Sequence, residues 1–321
     1  MKQNLEQENM KQSHIRQNSC AVLAAFIWGT SFVAQSVAAK YVEPFTFNAA
    51  RSVIAFFLLL TACLLYRRFS KKPSEQSPAN NPHYYRDLLI GGFFCGAILS
   101  LGTNLQQKGL ETTASGKAGF ITALYIIIVP ILGLFLKKRV RWTIWISIGL
   151  AAVGLYFLCV KEGFSIQPGD IYTILCAFCF SIQILLVDHY AQRVNGIDLS
   201  CAQFFVVSVI SLIGMAATET PSIGALHSCL WSILYVGILS SGVAYTLQIL
   251  AQRDSNPTVV SLLMSLESVF ATLAGALILH DHMAGREYLG CGLMLFAVVL
   301  AQLPAPGDKV KSPVEAADSK S

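Results

Sequence analysis

Residues 20–39 read CAVLAAFIWGTSFVAQSVAA, a run without a single Asp, Glu, Lys or Arg. A hydrocarbon layer about 30 Å thick is crossed by roughly 20 helical residues, so this stretch predicts a transmembrane helix. Before it lie residues 1–19, polar and mixed in charge, ending Arg16-Gln17-Asn18-Ser19. The apolar run is too long for the core of a secretory leader and lacks a clear small-residue cleavage site. Residues 1–19 are therefore expected to be a cytosolic tail.

Further along the chain the same pattern recurs. Apolar stretches of spanning length lie near 45–66, 87–107, 116–136, 142–160, 170–190, 198–217, 229–250, 258–279 and 287–303. Composition agrees, with 54% of the 321 residues hydrophobic and 13% charged, against roughly a quarter charged in soluble domains. Mean hydropathy is +0.57. The expected fold class is an all-α polytopic membrane protein with ten transmembrane helices. Residues 304–321, rich in Pro, Ala, Ser, Lys and Asp, read as a disordered cytosolic tail.

The net charge of +5 does not point to nucleic acid, because the basic residues collect in loops beside apolar segments. There they report orientation, since Lys and Arg are retained on the cytosolic side. Lys11 and Arg16 precede the first segment. Arg67, Arg68, Lys71, Lys72 and Arg86 lie between the second and third, and Lys137, Lys138, Arg139 and Arg141 between the fourth and fifth. The opposite loops carry only the isolated Lys40, Lys108 and Lys161. Both termini are thus expected in the cytosol, with the plasma membrane as the location.

The two halves also look alike. Ala25-Phe26-Ile27-Trp28 matches Ala177-Phe178-Cys179-Phe180, and Ile98-Leu99-Ser100-Leu101-Gly102 matches Ile238-Leu239-Ser240-Ser241-Gly242. A duplicated unit with an odd number of crossings must insert its second copy upside down. Residues 20–160 and 170–303 are therefore expected to be two inverted five-helix repeats, an arrangement characteristic of secondary transporters.

Some of these residues also form a family pattern. Trp28-Gly29-Thr30-Ser31-Phe32, Pro44-Phe45-Thr46 with Arg51, Ser115-Gly116-Lys117-Ala118-Gly119-Phe120-Ile121-Thr122, Val129-Pro130 and the basic cluster at Lys137 occur in order. Together they resemble EamA-type proteins of the drug/metabolite transporter superfamily over residues 20–303. The resemblance implies a central cavity lined by helices 1–4 and 6–9 with helices 5 and 10 peripheral. It also implies export or exchange of amino acids or other metabolites. The acid that usually closes helix 4 in that family is replaced here by Lys137-Lys138-Arg139, and its helix 9 counterpart is Asp281.

Ionisable residues at membrane depth are costly and face a cavity or a partner. Glu267, in Ser265-Leu266-Glu267-Ser268, is the one acid placed deep in the bilayer, where a carboxyl can bind and release a proton. Arg51 keeps its charge and needs either Glu267 as a partner or a cavity where it attracts an acidic solute. Lys117 lies nearer a helix end and can snorkel. Trp28, Gln35, Asn48, Asn104, Gln107, Tyr125, Gln183, Gln203, Tyr245 and Gln248 add hydrogen-bonding or aromatic groups. Each of these equally serves helix packing. Pro130 is expected to break the backbone ladder of its helix.

The expected function is a secondary transporter of a small metabolite by alternating access, with protons as a possible coupling ion. A non-transporting receptor or scaffold is the alternative. No HExxH, GxSxG or GxxxxGK motif occurs, so neither an enzyme nor direct ATP use is expected. No cofactor is expected either. The His280-Asp281-His282 cluster reads as a solvated helix end and not as a metal site. The nine cysteines read mostly as small apolar filler. Expected partners are the solute and the lipid bilayer, and a homodimer is compatible with the sequence.

Overall fold

The computed structural model describes residues 2–69, 81–137, 140–159, 167–253, 255–278 and 284–303, and every regular element among them is helical. Lipid offers no hydrogen bonds, so a segment that satisfies each N–H and C=O within itself is favoured. The helices are α1 (Lys2–Ala38), α2 (Pro44–Phe69), α3 (Tyr84–Gly109), α4 (Ser115–Phe135), α5 (Trp142–Cys159), α6 (Pro168–Tyr190), α7 (Gly196–Thr218), α8 (Leu230–Gln252), α9 (Pro257–Leu277) and α10 (Gly285–Gln302). Among the described residues, eight of these are long and apolar enough to cross a membrane; α5 and α10 are not among the eight. α10 opens on Arg286 and Glu287, which shortens its apolar stretch.

Residues from Lys2 onward continue the first transmembrane helix without a break, and no proline interrupts them. The loop cluster at Lys138-Arg139, Lys161, the His280-Asp281-His282 cluster and the tail 304–321 lie outside the described residues.

Two helices are interrupted at mid-length. α4 consists of Ser115–Thr122 and Tyr125–Phe135, and α9 of Pro257–Met264 and Glu267–Ile278. α8 widens into a π-helical stretch over Val236–Ala244. The helix ends are fixed by side chains. Asn195 and Asn256 accept hydrogen bonds from the N–H groups of Ile197 and Thr258 at the starts of α7 and α9, as N-cap residues do. The start of α2 is capped from another helix. The Glu219 carboxylate, just past α7, accepts from the N–H groups of Phe45 and Thr46 at 2.8 and 2.6 Å. At the far end of the same two helices Arg67 pairs with Asp198 at 3.1 Å, and the Tyr84 hydroxyl donates to the same carboxylate at 2.6 Å.

The distribution of polarity is that of a protein solvated by lipid. Phe57, Phe94, Phe135, Trp142, Trp231 and Phe296 are exposed, while Gln35, Asn48, Arg51, Gln183, Gln203 and Glu267 are buried. Packing follows a regular scheme. α1 lies against α8 and α9, α3 against α6 and α7, α2 against α7 and α8, α4 against α6 and α9, and α5 against α10. Small residues allow the closest crossings. A Cβ on Gly29 of α1 would meet the Glu267 carbonyl oxygen and the Phe270 Cβ of α9, both at 2.6 Å.

Candidate functional site

A cavity of about 40 Å³ lies between the helices, with α1, α2, α3, α4, α6, α8 and α9 contributing to its wall. That is far below the roughly 300–1,000 Å³ of a ligand pocket, so in this conformation it holds a few waters at most. Its ionisable acid and base are Glu267 and Arg51. Both are 4% exposed.

Arg51 reaches the cavity from the second turn of α2. Its guanidinium donates a long hydrogen bond of 3.4 Å to Gln35 Oε1 and stands 5.6 Å from the centre of the Phe47 ring. Among the described residues no carboxylate lies within ion-pairing distance of it. Glu267 opens the second segment of α9, where its carboxylate accepts a hydrogen bond from the Tyr125 hydroxyl at 3.0 Å. Tyr125 itself opens the second segment of α4. The expected alternative of an Arg51–Glu267 ion pair is therefore not what the fold makes. Cation and acid share one cavity without touching.

Aromatic rings form another part of the wall. Trp28 and Tyr245 pack edge to face with centroids 4.9 Å apart, and Phe180 lines the same space. Polar valences remain open. Gln248 donates to Gln183 Oε1 at 2.9 Å, leaving Gln183 Nε2, Gln248 Oε1 and the Trp28 indole N–H buried without a partner. A buried polar group left unpaired costs about 1–3 kcal/mol. Such a lining suits a polar guest better than an empty space.

A second, open basin of about 780 Å³ lies at the end of the bundle that carries Lys40, Lys108 and Glu219. Asn104 lines it and accepts a hydrogen bond from Asn48 Nδ2 at 3.0 Å. Gln107 Nε2 donates to the Gln35 backbone oxygen at 3.1 Å. These buried amides tie α3 to α1 and α2.

The sequence profile of the EamA-like transporter family matches residues 17–160 and, a second time, residues 167–303. The chain belongs to the EamA-like transporter family. Its relatives include an uncharacterized transporter of Archaeoglobus fulgidus, 31% identical over 88% of this chain and 84% of that protein. The uncharacterized inner membrane transporter YedA of Escherichia coli is 23% identical over 90% of this chain and 92% of its own. A WAT1-related chloroplastic protein of Arabidopsis thaliana is 23% identical over 88% of this chain and 68% of its own. A solved crystal structure, 18% identical, superposes with a TM-score of 0.73 over 92% of this chain and 99% of the other. That likeness speaks for the fold alone.

As a member of this family the chain is a multi-pass membrane protein of the drug/metabolite transporter superfamily. Of the residues singled out from the sequence of this EamA-like protein, Glu267, Arg51, Trp28, Tyr245, Tyr125 and Gln35 all line the central cavity. Gln183 and Gln248 join them. Lys117 does not, because it pairs with Asp170 at the start of α6. Asn104 belongs to the basin. Gln203, completely buried with both side-chain polar atoms unpartnered, lies on α7, which gives the cavity no lining residue. Ser31, Gln106, Thr122, Ser240 and Met264, with the apolar Phe32, Phe180 and Ile184, complete the lining. Small polar residues occur throughout these helices, so only the packing picks these out.

Proposed function

We propose that this chain carries a small metabolite with an acid group across the plasma membrane by alternating access. The observation that carries this reading is Arg51, a permanent cation buried at 4% exposure with no carboxylate partner among the described residues. A charge at that depth is costly unless an anion or water compensates it. An acid group arriving from solution supplies the direct contact that no carboxylate makes there.

The architecture proposed for this work is ten helices in two inverted halves, with the N-terminus and C-terminus in the cytosol. The packing scheme supports it. Exchanging α1–α5 with α6–α10 turns the α1–α8 contact into α6–α3 and the α1–α9 contact into α6–α4, while α2–α7, α4–α9 and α5–α10 map onto themselves; each of these pairs packs. Tyr125 and Glu267, which meet across the cavity, occupy equivalent places after the two interruptions. With the termini placed so, the open basin faces outward.

Reconstitution into liposomes tests the reading. The intact protein is expected to move at least one small acid-bearing metabolite faster than empty vesicles do, and the variant R51Q to lose at least tenfold of that flux. A broad metabolite panel without any protein-dependent flux would favour a receptor or scaffold.

A further inference from the structure

The charge balance of the cavity carries one step more, and it rests on the transport reading above. We propose that Glu267 and the transported anion alternate as the counter-charge of Arg51, so that the carrier moves one proton with each monoanion and no net charge. The argument begins with what cannot change. A guanidinium stays protonated in proteins. Arg51 therefore contributes one positive charge to the cavity in every step of a cycle. Glu267 is the acid that lines the same cavity, and with Arg51 it is buried to 4% exposure.

A net charge in a low-dielectric enclosure is unfavourable by several kcal/mol. Two compositions avoid it. In the empty carrier Glu267 is ionised and balances Arg51 through the cavity. In the loaded carrier a monoanion balances Arg51, and Glu267 holds a proton. That proton comes from water on the side of entry and returns to water on the side of release. Only the carboxyl O–H bond forms and breaks. The geometry permits the alternation because no direct salt bridge locks the two residues together. A fixed ion pair would leave no room for an anion at Arg51.

The groups facing Glu267 do not duplicate its role. Tyr125 of α4 hydrogen-bonds it, and Arg51 of α2 and Tyr245 of α8 share the cavity wall. Cys176 of α6 lies within electrostatic range. α1 brings Trp28, Ser31, Phe32 and Gln35, and α3 brings Gln106, all without ionisable groups. The remaining charged groups of α10, Arg286 and Glu287, sit in its first turn, at the helix end.

The test uses the full chain in proteoliposomes with pyruvate and methanesulfonate as monoanions and alanine as a zwitterion. Methanesulfonate cannot carry its own proton near neutral pH, so a proton that accompanies it travels on the protein. At one proton per anion, a pH difference of one unit concentrates the monoanion about tenfold. An imposed potassium-diffusion potential is expected to leave that accumulation unchanged. E267Q separates the steps, because a neutral Gln leaves the empty cavity positively charged and unable to return. It should exchange internal for external anion while losing net uptake. Should E267Q fail to fold, the wild-type response to potential decides alone. Monoanion uptake that follows membrane potential and ignores pH overturns the proposal, as does proton-free carriage of alanine alone. If no probe crosses, this proposal falls, and the transport reading falls with it only if the broad metabolite panel is also silent.

Discussion

Tyr125 and Glu267 each begin the second part of an interrupted helix, and one hydrogen bond of 3.0 Å joins them. The phenol is the hydrogen-bond partner of the carboxyl among the described residues. Tyr125→Phe removes it with little change of shape. Transport is expected to fall about fivefold, in line with roughly 1 kcal/mol for a lost buried hydrogen bond, while apparent Tm in detergent moves by a few degrees at most. An unaltered transport rate would detach Tyr125 from the mechanism. Gly29 presents the opposite case, a position fixed by space. Its added Cβ would lie 2.6 Å from the Glu267 carbonyl oxygen and 2.8 Å from the Ala271 amide nitrogen, and backbone atoms cannot step aside. Gly29→Ala is expected to cost about 1–3 kcal/mol through overpacking, read as a lowered thermal midpoint. Glu267 and Arg51 stood out in the sequence because ionised side chains are scarce there. Gly29 was legible as a place of close helix approach, though not its neighbour; Gln106 was not, since a glutamine declares its role only through what packs against it.

Helix ends show how the bundle is held. The Glu219 carboxylate caps α2 from the end of α7, with a further bond from the Thr46 hydroxyl at 2.7 Å. A carboxylate at a helix N-terminus satisfies unpaired N–H groups and favours the helix dipole. Glu219→Ala is expected to lower stability by about 1 kcal/mol, visible as a lower apparent Tm. An unchanged midpoint would mean that the cap contributes nothing. The length and order of the helices were legible in the sequence, because lipid demands long apolar runs and punishes charge inside them. Their interruptions were not. Pro130, which lacks the N–H of the ladder, lies inside Tyr125–Phe135, and the interruption of α4 falls before it at Ala123-Leu124. In α9 no proline is present between Pro257 and Leu277. There the Ser261 and Ser265 hydroxyls bond to the Thr258 and Leu262 carbonyls, the kind of back-bonding that competes with the helical ladder. Serines are too common for that to be read in advance.

At the scale of the molecule, basic residues gather at one end of the bundle, and topology can be tested there directly. On a background with the native cysteines replaced, Lys40→Cys is expected to react with an impermeant maleimide in intact cells. His83→Cys should react only after permeabilisation, and the reverse pattern would invert the proposed orientation. Polar and apolar bookkeeping anticipated a bundle with a polar interior. Which faces meet there was beyond it, since seven helices must first be placed before Gln183, Gln248 and Trp28 are seen to share a wall. The buried Arg51 guanidinium has a further consequence, for how the protein is made. Inserting an arginine at membrane depth costs about 2.5–3.5 kcal/mol, while each Leu, Ile, Phe or Val returns roughly 0.3–0.6. α2 follows Arg51 with Val53-Ile54 and Phe56-Phe57-Leu58-Leu59-Leu60, enough to offset most or all of that cost. The nascent segment can therefore leave the translocon for lipid on its own, before the helices that will enclose its charge have been synthesised.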